Sequence, residues 1–325
     1  MTGRDHVLAT ICAIGAMSAS LAAGQPARAQ VAAPVGSRPV APDEAWWTGP
    51  IAASSADTLP RGHVLIEPYL YDVRLPGGDY LGSLTFILYG LTDRLTVGAI
   101  PTFGSARSRG SASRRRVAVN DLTLQAQFRL HRATVGELVP TLAVLLQRGV
   151  AIGRYDRLGA DPDIGIGSGI APTTLGINAQ RIDRLPSGRA LRTRVNLARS
   201  LPSNGQVRDA SIFGTPTGFV GSARVGPITT ADLSVEYSVT RRFALAADVI
   251  ARWTGPVATT GRVAAAGSQS GFASVIPAGQ SFSVAPAVEY SWTGSRGVLL
   301  GVRWTAAGRG HAASVTPVIA FNMVL

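Results

Sequence analysis

A chain of 325 residues with 46% hydrophobic and 15% charged content is long enough for one large domain or two ordinary ones. Its formal charge is +12, and every one of its 31 basic residues is arginine. These arginines are spread along the chain with one dense cluster (Arg107, Arg109, Arg114, Arg115, Arg116) and no aromatic ladder beside it, which argues against a nucleic-acid partner.

In chain order, residues 1–29 read as a secretory signal. Arg4 supplies the positive start, residues 7–17 an apolar run too short to span a bilayer, and Ala27-Arg28-Ala29 a small-x-small cleavage site. The single cysteine, Cys12, falls inside that segment. It comes too early, and without small residues before it, to be a lipoprotein cysteine. The exported chain then has no disulfide, no thiolate nucleophile and no cysteine metal ligand. Residues 30–60, proline-rich at first and carrying Trp46 and Trp47, read either as a periplasmic leader or as a partial plug inside the domain formed by the rest of the chain.

From residue 63 the dominant period is two. In the stretch 121–130, Leu122, Leu124, Ala126, Phe128 and Leu130 alternate with Asp121, Thr123, Gln125, Gln127 and Arg129. A helix would spread those polar residues round its circumference, whereas a strand gathers them on one side. The same reading holds at 231–239, 282–292 and 298–305, and in weaker form at 63–72, 80–89, 94–103, 138–147, 173–182, 190–199, 243–253 and 314–325. The pattern predicts twelve strands, an even number, most of them about 9–11 residues long as tilted membrane strands require. Connections alternate in length: 90–93, 131–137, 183–189, 240–242 and 293–296 are short, and 73–79, 104–120, 148–172, 200–230, 254–281 and 306–313 are mostly longer. That parity marks an all-β fold, a single closed antiparallel transmembrane β-barrel over 61–325 with short periplasmic turns and longer extracellular loops. Pro68, Pro101, Pro140, Pro286 and Pro317 each remove a ladder donor and imply bulges or shifted strand ends. Tyr80, Phe103, Tyr237, Trp253, Tyr290, Trp292 and Trp304 are expected at interfacial girdles.

Several local patterns invite a chemical reading. The arginine cluster at 107–116 falls on an expected outer loop and suits either lipopolysaccharide phosphates or plain solvent. Asp156, Asp161 and Asp163 beside Gly165, Gly167 and Gly169 match neither a known calcium loop nor a strand-to-helix phosphate loop, and read as a flexible outer loop. Ser203-Asn204-Gly205 is shared with outer-membrane phospholipases, but Leu201 stands where their histidine would, and the triplet reads as a loop turn. His63, His131 and His311 fall at different ends of the expected barrel, so no Ser/His pair forms and no enzyme is expected.

Trp46-Trp47-Thr48-Gly49-Pro50, the run from Leu59 to Tyr69, Tyr89-Gly90-Leu91-Thr92-Asp93-Arg94, the strand at 121–130, Glu289-Tyr290-Ser291-Trp292 and the closing hairpin at 301–325 resemble the outer-membrane proteins of the phenol meta-pathway degradation (transporter) family. The resemblance implies a channel-like barrel linked to uptake of hydrophobic or aromatic compounds. With the barrel reading, the expected partners are outer-membrane lipid, lipopolysaccharide and a small solute, and no cofactor or metal is expected.

If the alternation holds, the lumen is lined by Glu67, Asp121, Gln125, Gln127, Arg129, Gln147, Asn178, Arg192, Arg194, Asp232, Glu236, Asp248, Arg252, Glu289 and Arg303, because charge facing lipid costs about 2–4 kcal/mol for an arginine near the midplane. Two readings remain open. The lining is a polar conduit selecting solutes, or an arginine–carboxylate network filling a closed structural or adhesion barrel that binds partners through its outer loops.

Overall fold

The computed structural model describes residues 45–111, 115–134, 137–265 and 268–325. The expected signal at 1–29, the first part of the 30–60 segment and Arg114 lie outside the described residues. Twelve strands close into one antiparallel barrel: β1 (Val64–Leu75), β2 (Gly78–Thr92), β3 (Leu95–Ser108), β4 (Ala118–His131), β5 (Thr141–Val150), β6 (Thr173–Arg184), β7 (Ala190–Leu201), β10 (Ile228–Ser238), β11 (Phe243–Thr254), β14 (Gly279–Thr293), β15 (Arg296–Thr305) and β16 (Ser314–Val324). The first strand meets the last, with Leu65 opposite Val324 and Leu70 opposite Ile319, so the cylinder has no free edge.

The period-two pattern translates directly into two faces. On β4, Leu124, Phe128 and Leu130 are exposed, whereas Gln125, Gln127 and Arg129 are buried. The same division runs round the wall, through Leu175 and Ile177, Val195 and Leu197, Leu233 and Val235, and Val284 and Val288. Soluble monomers rarely expose contiguous apolar patches beyond a few hundred Å². A continuous outward apolar belt on a closed barrel is the surface of a membrane-spanning cylinder.

Strand boundaries moved where local signals were weak. The expected loop at 73–79 is a tight turn, because β1 and β2 run on in register to Leu75 opposite Gly78. The expected strand at 138–147 begins later, at Thr141. Pro140 therefore precedes the strand, and the other prolines sit where one ladder lapses. Pairing of β1 with β16 skips Glu67 and Pro68 and resumes at Tyr69 in the same register, and Pro101 lies at a bulge against β4. Pro286 and Pro317 fall in similar gaps toward β15 and β1. The missing N–H is thus accommodated on one side only.

The long connections 200–230 and 254–281, expected as loops, contain β8 (Asn204–Arg208), β9 (Phe219–Val225), β12 (Val257–Ala265) and β13 (Ser268–Ile276), which form a separate sheet in the order β13-β12-β9-β8. Its small core centres on Phe219, whose ring meets Phe272 edge-on with centroids 5.3 Å apart, and on Val207, Ile212 and Phe213. Ser203-Asn204-Gly205 is accordingly the lead-in to β8 rather than a free turn. The loop 148–172, read as flexible, is tied down instead. Asp121 on β4 accepts from Ile152 N (3.2 Å), Gly153 N (3.1 Å), Ser168 N (2.8 Å) and Ser168 Oγ. Asp163, in a single 3-10 turn (Pro162–Ile164), accepts from Ser108 N at 3.0 Å and Ser108 Oγ at 2.6 Å.

Tyr80 does not join an outer girdle. It is 1% exposed and packs inside against Tyr71, ring centroids 6.1 Å apart. A Cβ at Gly82 would lie 2.3 Å from the Tyr71 ring, and one at Gly104 would lie 2.0 Å from the Tyr80 hydroxyl. Two strand glycines therefore give the inward tyrosines their room. Phe103, Tyr237, Trp253, Tyr290, Trp292 and Trp304 are exposed as a girdle requires. The interior is consequently two-sided, with Leu65, Tyr69, Tyr71, Leu84, Phe86 and Ile100 on an apolar wall from β1 to β3 and charged and amide side chains on most of the remainder.

Candidate functional site

Inward positions on successive strands bring the charged residues together. Glu67 lies on β1, Arg129 on β4, Arg192 and Arg194 on β7, Asp232 and Glu236 on β10, Asp248 and Arg252 on β11, Glu289 on β14 and Arg303 on β15; each is buried. Five arginines and five carboxylates thus line the interior. Register decides the pairs. Arg192 is the cross-strand partner of Glu236, and its guanidinium forks onto that carboxylate, with Nε donating to Oε2 at 2.5 Å and Nη2 to Oε1. Arg194, two residues along, brings Nε within 3.2 Å of Glu236 Oε2.

The segment 45–60 runs through this network at the short-turn end of the barrel. Trp46 N donates to Arg241 O at 2.7 Å, and the Trp46 ring lies under Arg241 and Arg242, with guanidinium carbons 4.5 and 5.7 Å from its centroid. Arg192 lies 4.7 Å over the buried Trp47 ring. Glu289 Oε2 accepts from Thr48 N (2.7 Å), Thr48 Oγ1 (3.2 Å) and Gly49 N (2.9 Å). Asp248 accepts from Ile51 N (3.0 Å), Ala52 N (3.3 Å) and Ala53 N (3.1 Å).

Further along, donors replace acceptors. Arg194 Nη1 donates to Ala53 O at 2.7 Å, Asn196 Nδ2 to Ser54 O at 3.0 Å, and Gln127 Nε2 to Asp57 O at 2.7 Å. Asp57 lies 3.7 Å from Arg129. Leu59 N donates to Thr96 Oγ1 at 2.8 Å before the chain enters β1. An irregular segment inside a barrel must have its backbone groups satisfied, and here wall side chains supply that role. The wall also makes space for it. A Cβ at Gly297 would lie 2.1 Å from Thr48 Cγ2, and one at Gly301 would lie 2.5 Å from Ile51 Cδ1.

Toward the long-loop end the lining changes. Amides link in a chain, Asn196 Nδ2 to Asn178 Oδ1 (2.8 Å) and Asn178 Nδ2 to Gln127 Oε1 (2.9 Å), with Gln147 Nε2 donating to Gln125 Oε1 at 2.9 Å. Above them lies a cavity of about 60 Å³ among Thr123, Gln147, Thr174, Ser200, Thr230 and Arg252. Asp232 Oδ1, Ser234 Oγ, Arg303 Nε, Ser314 Oγ and Thr316 Oγ1 are buried without a hydrogen-bond partner among the described residues. Glu67 Oε2, Glu289 Oε1 and Arg194 Nη2 of the charged network are in the same condition, so unmet polar atoms occur along the interior at both levels. Asp121 is placed at the mouth, where it anchors the 148–172 loop, and Ile166 of that loop packs onto the apolar wall.

Other predicted chemistry disperses. Asp156 accepts from Arg208 N at 2.9 Å, Asp161 from Asp163 N at 3.1 Å, and Asp163 from Ser108, so the three carboxylates serve separate backbone contacts. Among the described residues no cluster of metal-ligating side chains occurs. Ser203 Oγ accepts from Ala171 N at 2.9 Å, whereas His311 Nε2 lies 3.3 Å from Thr254 Oγ1. Arg115 of the basic cluster pairs with Asp79. Asn196 and the inward tyrosines of β1 and β2 are the residues that charge-based reading undervalues, although each sits on the inward parity of its strand.

No protein-family profile matches the sequence, and no curated protein matches it either. Solved structures do. An outer membrane channel from Pseudomonas putida F1 is 16% identical, with a TM-score of 0.59 over 83% of this chain and 98% of that one. The β domain of the Bordetella autotransporter BrkA is 11% identical (TM-score 0.45; 82% and 100%), and the Pseudomonas putida toluene transporter TodX is 11% identical (TM-score 0.38; 83% and 96%). At this identity the likeness to the outer membrane channel is one of fold, and it places the chain among closed outer-membrane-type β-barrels.

Proposed function

We propose that the protein is an outer-membrane channel for small hydrophobic or aromatic solutes, exported by its N-terminal signal, with residues 45–60 as a plug at the periplasmic end. The observation that carries this reading is the way the segment is held. The cylinder closes without it through β1 and β16, and the segment adds no strand. It is gripped chiefly by side chains of the wall, Glu289 and Asp248 above all. An insert of that kind can leave without unzipping the barrel. The cavity beyond it is lined by Thr123, Thr174, Ser200, Thr230 and Arg252, hydroxyls and one arginine that suit the polar group of a small solute. The resemblance to the phenol meta-pathway proteins supports the same solute class, and the fold shared with a bacterial outer membrane channel is compatible with a channel.

Planar-bilayer recordings and uptake into liposomes test the proposal with the full-length protein. The expected result is a small, intermittently opening conductance and uptake of monoaromatic solutes. A barrel that inserts but stays silent and impermeable, both intact and with its plug contacts removed, rejects it. That outcome favours the second reading, a closed barrel binding partners through its outer β8–β9–β12–β13 sheet, whose separate core makes it a preformed surface.

A further inference from the structure

Two arginines point away from the lumen, into the outward belt. Arg148 on β5 continues the exposed column of Val144 and Leu146, and Arg199 on β7 continues that of Val195 and Leu197. Both lie near the long-loop end, yet Val150 and the exposed Leu201 follow them farther out on the same faces. The guanidiniums therefore start inside the rim of the belt rather than above it. Trp253 sits in the same row, since Arg199 pairs with Thr229 and Thr229 with Trp253, and an exposed tryptophan marks the membrane–water boundary.

The two arginines bracket β6, where Thr173 is the register partner of Arg148 and Leu175 that of Arg199. Two strand spacings and a two-residue step set their Cα atoms roughly 12 Å apart. Each side chain is laid sideways on the wall. Arg148 Nη1 donates to Thr173 Oγ1 at 2.7 Å, and Arg199 Nη1 donates to Thr229 Oγ1 at 3.0 Å. A guanidinium has five N–H donors in a planar fork, so a single hydroxyl contact orients it without satisfying it. The outward neighbours Leu124, Val150, Thr173, Leu201, Thr229 and Trp253 include no carboxylate. A charge at this depth needs an anion from outside the protein.

We infer that Arg148 and Arg199 form a lipid-phosphate site that takes phosphate groups of an outer-leaflet phosphoglycolipid, whose acyl chains lie on Leu146, Leu175, Ile177 and Leu197 below. This rests on the reading of the barrel as an outer-membrane protein, and it is separate from Arg109, Arg115 and Arg116, which follow β3 and precede β4.

The test uses the full-length protein in phosphatidylcholine vesicles, with insertion read first by protease protection. A fluorescent rough lipopolysaccharide, its dephosphorylated form and inorganic phosphate are then the probes. The Arg148→Gln/Arg199→Gln variant is expected to bind the lipopolysaccharide about tenfold more weakly or worse, with Arg148→Lys/Arg199→Lys between the two. Wild-type protein is expected to prefer the phosphorylated over the dephosphorylated lipid by a similar factor. Unchanged affinity in the glutamine variant, or equal binding of the dephosphorylated lipid, overturns the site. Complete displacement by millimolar inorganic phosphate assigns the arginines to a free anion instead and also overturns it. Failure to insert sinks the membrane-barrel reading itself, a distinguishable result.

Discussion

Replacing Asp248 with alanine removes the acceptor of three backbone N–H groups at once, those of Ile51, Ala52 and Ala53 at 3.0, 3.3 and 3.1 Å. Each buried donor left unsatisfied costs about 1–3 kcal/mol, and the long 3.3 Å contact belongs at the low end. Water entering the space left by the carboxylate recovers part of the loss, so a net weakening of roughly 2–4 kcal/mol is a reasonable magnitude. At about 1.4 kcal/mol per decade the unseated fraction of the 45–60 segment rises about 30- to 1,000-fold. The assay is single-channel conductance in planar bilayers, with open-state lifetime and frequency as the readout. The alanine variant is expected to open far more often and to a larger level than wild type. Asp248→Asn keeps one carbonyl oxygen but turns an amide toward a donor, so it is expected to fall between. If wild type, Asp248→Asn and Asp248→Ala give the same closed baseline while all three insert as heat-resistant barrels, the segment does not gate the lumen and the reasoning fails.

Three other perturbations probe separate links. Gly297→Ala drives a Cβ to about 2.1 Å from Thr48 Cγ2, so overpacking of about 1–3 kcal/mol should loosen the segment and speed proteolysis within 45–60; adding Thr48→Ser, which deletes that methyl, should recover part of the protection, the rest being held back by Ser291 Oγ at 2.8 Å, and no recovery counts against the seat. Asp121→Ala strips the 148–172 loop of its contacts to Ile152, Gly153 and Ser168, so tryptic cleavage after Arg154 and Arg157 should rise at least about tenfold; unchanged cleavage means other contacts hold the loop. At the 131–141 turn, the Thr134 backbone N–H and hydroxyl hold the Glu137 carboxyl below its ordinary value near 4.5. Between the depressed folded value and the unfolded one the unfolded turn binds more protons, so this contribution is present above the ordinary value and lost as pH falls through the folded one. Thr134→Val removes the hydroxyl contact, and an NMR titration should show Glu137 moving back toward 4.5.

How far the sequence carried depended on how local each feature is. Leu124, Phe128 and Leu130 against Gln125, Gln127 and Arg129 announced the two faces of β4 because a strand's alternation is a property of adjacent residues. The second sheet escaped notice because Gly221, Gly261 and Gly271, with Ala, Ser and Thr around them, blur the alternation, and its core is assembled from stretches far apart in the chain. Tyr80 carried the residue type of an interfacial aromatic, and its inward direction was settled only by its packing with Tyr71 and by the space at Gly104.

The residues that line the interior were legible as candidates, but not their engagements. Arg192 finds Glu236 because β7 and β10 are neighbours in the barrel, despite β8 and β9 lying between them in sequence. The 45–60 segment has no periodicity to read, since its amides are met by Glu289, 241 residues from Thr48, and by Asp248, 197 residues from Ile51. Alternation, together with the parity of connection lengths, determined a closed cylinder with an apolar outside, because side-chain direction is encoded one residue at a time. What fills the inside was decided by tertiary structure alone, because closure of β1 on β16 sets which distant side chains converge on the same backbone groups.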